Sequence, residues 1–178
     1  AADCVVALAG RPPAGRDRDQ VARVLHRPHQ ADLADRRLRV TLGGDPERIF
    51  VTGSSAGGHL TGMLLAAGWH QKEGIPANVI KGAAPISGIF ELEPLLHTHI
   101  NDWARLDVAS ARRNSPLLLL PEHGCPLTVC CGERETNEFK RQSARFAREW
   151  TAKGFRCDDL GTIAERNHFD VVLDLANA

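Results

Sequence analysis

Gly53-Ser54-Ser55-Ala56-Gly57 fits the G-x-S-x-G pattern, which sets a serine on a sharp turn between a strand and a helix. Ser55 is the candidate nucleophile. Arg48-Ile49-Phe50-Val51-Thr52 before it is a β-branched and aromatic run, and Leu60, Met63, Leu64 and Ala67 after it recur at helical spacing. The serine therefore falls at a strand-to-helix junction. Glycine on either side has a steric reason, because so tight a turn forces unusual backbone angles and leaves no room for neighbouring side chains. The bland alternative is that Ser54 or Ser55 only caps the helix.

Downstream, strand and helix patterns alternate, which predicts a mostly parallel α/β sheet with helices on both faces. Val79 to Ile86 reads as a buried strand closed by Ser87-Gly88, and Leu127 to Cys131 as another ending at Gly132. A long helix from Asn137 to Lys153 carries Phe139, Ser143, Phe146 and Trp150 on one face, with Gly154 to stop it. Phe155 to Leu160 reads as the next strand, followed by a loop through His168 and a short helix near Val171 to Ala176. The excursion from Phe90 to Gly124 reads as a packed insertion or as a cap over the active site, and the two are compatible.

The 178 residues are a single-domain length, and 22 basic against 22 acidic side chains give no pull toward nucleic acid or a membrane surface. Five cysteines, an odd number without C-x-x-C spacing, predict neither a disulfide framework nor a zinc site. No apolar run reaches the length of a membrane span and the first residues lack signal-peptide order, so a cytoplasmic location is expected. Residues 9–42 are basic and interrupted by proline; Val21, Val24 and Leu25 suggest one helix, ended by Pro28. Without interleaved aromatics that stretch reads as a solvated surface, not as a nucleic-acid site.

A nucleophilic serine needs a base and an acid, which on a sheet of this kind follow it in the order serine, acid, histidine. His168, in the polar loop after the last strand, has the required position. His26, His29, His59 and His70 precede the expected acid, and His97, His99 and His123 fall in the excursion. For the acid, the loop after the Leu127 to Cys131 strand offers Glu133, Glu135 and Glu138, which spacing alone does not separate.

Gly43-Gly44-Asp45-Pro46-Glu47-Arg48-Ile49, leading into Gly53 to Leu60, resembles the α/β-hydrolase superfamily, especially its esterase and arylformamidase (kynurenine formamidase-like) branch. Ile86 to Leu95, Asn114-Ser115-Pro116, Glu138 to Ser143 and Asn167-His168-Phe169 extend the likeness over roughly residues 43 to 172. The resemblance implies a triad of Ser55, Glu135 and His168, because in that branch the acid directly precedes a Ser-Pro-Glu-Phe-like run, here Thr136-Asn137-Glu138-Phe139. Aspartate is commoner at that place in the family. One oxyanion donor is expected to be the backbone N–H of Ala56.

The same resemblance implies a short-chain ester or an aryl formamide as the small-molecule substrate, with no cofactor and no metal. Cys4 to Leu8 resembles the strand before the elbow strand, so the family's earlier strands and their His-Gly-Gly oxyanion loop are expected to lie before residue 1. Such a truncation leaves an uncovered sheet edge, which predicts a homo-oligomer. It also leaves open a reading as a non-catalytic remnant of a hydrolase fold.

Overall fold

A computed structural model of the chain describes Val5–Val6 and residues 49–173. The expected helix near Val21 to Leu25, the basic stretch, the rest of the Cys4 to Leu8 strand and the last residues of the terminal helix lie outside the described residues. Among the described residues, five strands form one parallel sheet in the order of the chain: β1 (Val5–Val6), β2 (Ile49–Ser54), β3 (Ile80–Ile86), β4 (Leu127–Gly132) and β5 (Cys157–Ile163). Between them run α1 (Ala56–Leu65), α2 (Trp69–Lys72), α3 (Ile100–Ala104), α4 (Val108–Arg113) and α5 (Asn137–Ala152).

The pairing register explains where the core sits. Val51 lies opposite Ala83, Ala83 opposite Leu127 and Leu127 opposite Cys157, so this row of side chains shares one face of the sheet. Leu60, Leu64 and Leu65 of α1 and Phe146, Ala147 and Trp150 of α5 join the same cluster. Both long helices therefore cover one face. On the opposite face Phe50 is exposed and Thr52 and Thr128 are half-buried. The expectation of helices on both faces is met on one face among the described residues, and the reason is topological. Each step from β2 to β5 moves to the next strand in the same direction, and right-handed crossovers taken in one direction all return over the same face.

The long helix ends as its sequence predicts. Gly154 has φ +84°, its N–H donates to the carbonyl of Thr151, and the Phe155 N–H donates to that of Trp150. This is a Schellman stop, with the Phe155 ring 5.2 Å from Trp150 in an edge contact. Phe155 is thus spent on the helix end, and β5 begins at Cys157. At its other end β5 runs past Leu160 to Ile163, because Gly161, at φ +64°, sits in a bulge and does not end the strand.

The excursion folds into short pieces, α3, α4 and two 3-10 turns at Glu93–His97 and Pro116–Leu118. Asp107 and Ser110 form a capping box at the start of α4. Phe90, Ala111 and Leu117 anchor the excursion in the core, with the Phe90 and Phe146 rings stacked at 4.1 Å, whereas Trp103 is exposed.

Candidate active site

Ser55 follows the last residue of β2 and precedes the first of α1, with φ 58° and ψ −116°, a backbone combination that costs a non-glycine residue of the order of 1–3 kcal/mol. Its N–H donates to the carbonyl of Ile86 at 3.0 Å, which ties the turn to β3. A Cβ on Gly53 would lie 2.5 Å from the backbone carbonyl of Gly57, so the crossing of strand and helix leaves room for glycine alone. The Ala56 N–H is among the donors that a helix leaves unsatisfied at its own start.

His168 reaches the turn from the loop after β5. Its Nε2 lies 2.8 Å from Ser55 Oγ, and its Nδ1 lies 2.6 Å from Oε2 of Glu135. The carboxyl oxygen Oε1 of Glu135 accepts the backbone N–H of Gly132 at 2.6 Å and the hydroxyl of Ser87 at 2.5 Å. A neutral ring carrying its proton on Nδ1 donates to Glu135 and accepts from the Ser55 hydroxyl, so one tautomer satisfies the whole chain of bonds. The Glu135 side chain is fully buried, while that of His168 is 24% exposed and so stays open to a substrate. Phe139 leans on the imidazole at 4.5 Å and Phe169 meets it edge-on at 5.6 Å.

The chain that sets a serine on a strained strand-to-helix turn, bonded to a histidine and then to a buried carboxylate, is similar to known proteins in sequence and in fold. A kynurenine formamidase from Danio rerio is 31% identical over 134 residues, spanning 72% of this chain and 45% of that protein. One from Salmo salar is 30% identical over 134 residues with the same coverage. Among solved structures, a Silicibacter protein provisionally named a thioesterase superposes with a TM-score of 0.65 at 27% identity, over 83% of this chain and 53% of its own. An esterase from Pyrobaculum calidifontis gives 0.61 at 18% identity, over 80% and 51%. The chain belongs to the α/β-hydrolase superfamily. Within that superfamily it is esterase- and arylformamidase-like, and it spans about half the length of the curated relatives it matches. No family model matches it.

Of the three carboxylates that spacing left open in this α/β-hydrolase, Glu135 alone meets the histidine. Glu133 turns to the histidine loop, where its Oε2 accepts the N–H of Glu165 at 2.8 Å. Glu138 faces α5: Arg141 and Gln142 donate to it, and the Arg141 hydrogen bond holds its carboxyl below the usual range. Reciprocal bonds hold the loop itself, with Asn167 N–H donating to Asp170 Oδ1 at 2.6 Å and Phe169 N–H donating to Asn167 Oδ1 at 2.8 Å.

Sequence reading assigned no role to Ser87, Gly132 or the Asn167 and Asp170 clamp. The one available signal was a polar residue directly after a buried parallel strand, the end of a sheet where such sites gather. Among the described residues no group of three or more histidine, cysteine or acidic side chains is placed to hold a metal, and Cys125, Cys131 and Cys157 are free thiols. No described helix is long and apolar enough to cross a membrane.

Proposed function

We propose that this chain is a serine hydrolase of short-chain carboxylic esters. The hydrogen-bonded line from Ser55 through His168 to Glu135 carries that reading. Ser55 Oγ attacks the carbonyl carbon as its proton passes to His168 Nε2; the alcohol leaves with that proton, and an acyl-enzyme remains. Water then gives a proton to the same nitrogen as its oxygen bonds to the acyl carbon; the bond from that carbon to Ser55 Oγ breaks, the proton passes back to Oγ, and the carboxylic acid leaves. Glu135 fixes the ring orientation and stabilises the imidazolium formed at each step. The Ala56 N–H, at the positive end of α1, offers one donor to the oxyanion.

The likeness to kynurenine formamidases favours a second reading, an aryl formamide as substrate. Esters come first because they are intrinsically easier to cleave. Labelling with a fluorophosphonate probe tests the nucleophile: wild type should react and Ser55→Ala should not, whereas an unreactive wild type would turn the reading into a non-catalytic hydrolase fold. Comparing kcat/KM for p-nitrophenyl acetate and N-formylkynurenine ranks the substrates, and a clear preference for the formamide reverses the order.

A further inference from the structure

Ser55 and Ser87 occupy equivalent places on neighbouring strands. Each is the first residue after its strand, and each has a left-handed backbone, with φ 58° and 48°. The strain at Ser55 has a ready purpose in presenting the nucleophile. At Ser87 glycine would relieve it, because only the absence of a Cβ makes that region free of cost. Ser87 is moreover completely buried. Its hydroxyl donates to Oε1 of Glu135 at 2.5 Å, and its N–H donates to the carbonyl of Cys130 at 2.9 Å, binding β3 to β4 immediately beside the carboxylate.

We infer that Ser87 is a positioning residue for the acid of the site: its hydroxyl locks Glu135 in the rotamer that meets His168. Glu135 needs such a lock. A glutamate side chain carries one more rotatable bond than an aspartate, and Oε2 reaches Nδ1 only while Oε1 is held on the opposite side. The two donors on Oε1 share that task. Gly132 N–H fixes the carboxylate against its own loop, and Ser87 fixes it against β3, the strand that also ties down the Ser55 turn through Ile86. The acid and the nucleophile are thereby referred to one strand, which neither of them belongs to. A hydrogen bond to a buried charged group is strong and directional, so its loss lets the carboxylate reorient.

The inference rests on the proposed hydrolase reading, and the two fail separately. Ser87→Ala removes the hydroxyl and keeps the strain; Ser87→Gly removes both, which guards against loss of folding. Both variants should keep KM within about twofold and lower kcat for p-nitrophenyl acetate by about tenfold or more, with Glu135 reoriented in each. The second readout does not depend on turnover. The low-field proton resonance of His168 Nδ1–H, assigned by its loss in His168→Gln, should be present in wild type and shift upfield or vanish in both Ser87 variants. Wild-type resonance retained unchanged in Ser87→Gly, or a loss confined to KM, would overturn the role of Ser87. If wild type shows the resonance but does not label with the fluorophosphonate, the hydrolase reading falls and the resonance of the variants still decides whether Ser87 holds Glu135.

Discussion

Glu133 and Glu165 are joined by a hydrogen bond of 2.8 Å from the Glu165 N–H to the Glu133 carboxylate, which fastens the end of β4 to the loop that carries His168. Glu133 thus steadies the histidine loop from outside, while Glu135 touches the imidazole itself. Glu135→Gln should therefore lower kcat/KM for p-nitrophenyl acetate by on the order of a thousandfold, since a neutral amide neither stabilises the imidazolium nor enforces its tautomer. Glu133→Gln should cost no more than a few-fold. Steady-state kinetics on both variants checks the ranking, and the reverse order would move the acid to Glu133.

Ser55→Ala and His168→Ala should each abolish measurable ester hydrolysis and leave the melting temperature within a few degrees of wild type. The double variant should be scarcely worse than either single one, because residues that act as one unit are strongly non-additive. Full activity in Ser55→Ala would refute the nucleophile.

Gly132→Ala should disconnect the histidine from the acid. A Cβ at Gly132 would lie 2.5 Å from the carbonyl oxygen of Arg166, backbone that leads directly into His168. The loop has to shift. Overpacking of this kind costs about 1–3 kcal/mol, which thermal denaturation reads, and activity should fall far more than that loss of stability explains. An active, slightly destabilised variant would show that the loop adapts.

The motif and the chain order singled out Ser55 and His168, which the fold brings within 2.8 Å of each other, because the turn and the loop leave local marks: paired glycines, and a polar stretch after the last described strand. Choosing Glu135 over Glu133 needed the family likeness. Two carboxylates within the same short loop differ only in which way the fold turns them. Nothing in the sequence linked Ser87 to Glu135, because the two are 48 positions apart. The extent of β5 differs from the expected Phe155 to Leu160 for a different reason, since Phe155 closes the preceding helix and Gly161 sits in a bulge that lets the strand run on to Ile163. That both long described helices lie on the same face was legible in principle. It follows from strand order, which periodicity does not report.

His70 should make stability depend on pH. Its ring is buried and stacked on Trp69 at 3.9 Å, its Nε2 has no hydrogen-bond partner, and burial lowers its pKa from the ordinary 6.5. The unfolded chain therefore binds a proton that the folded chain refuses. Stability is fully present above the ordinary histidine value and is lost as pH falls below it. Urea midpoints measured from pH 7.5 to 5.5 should fall in wild type and fall less in His70→Phe. Equal slopes would show that His70 titrates normally.

The bond between His168 and Ser55 closes a loop of 113 positions and joins the first described helix junction to the last strand's far end. Contacts of that separation form late, after the intervening strands have docked in turn. On the proposed hydrolase reading, reactivity at Ser55 becomes a chronometer for assembly: a refolding chain should regain its backbone signal first, and accept a serine-directed probe only when β5 has delivered His168 to the elbow.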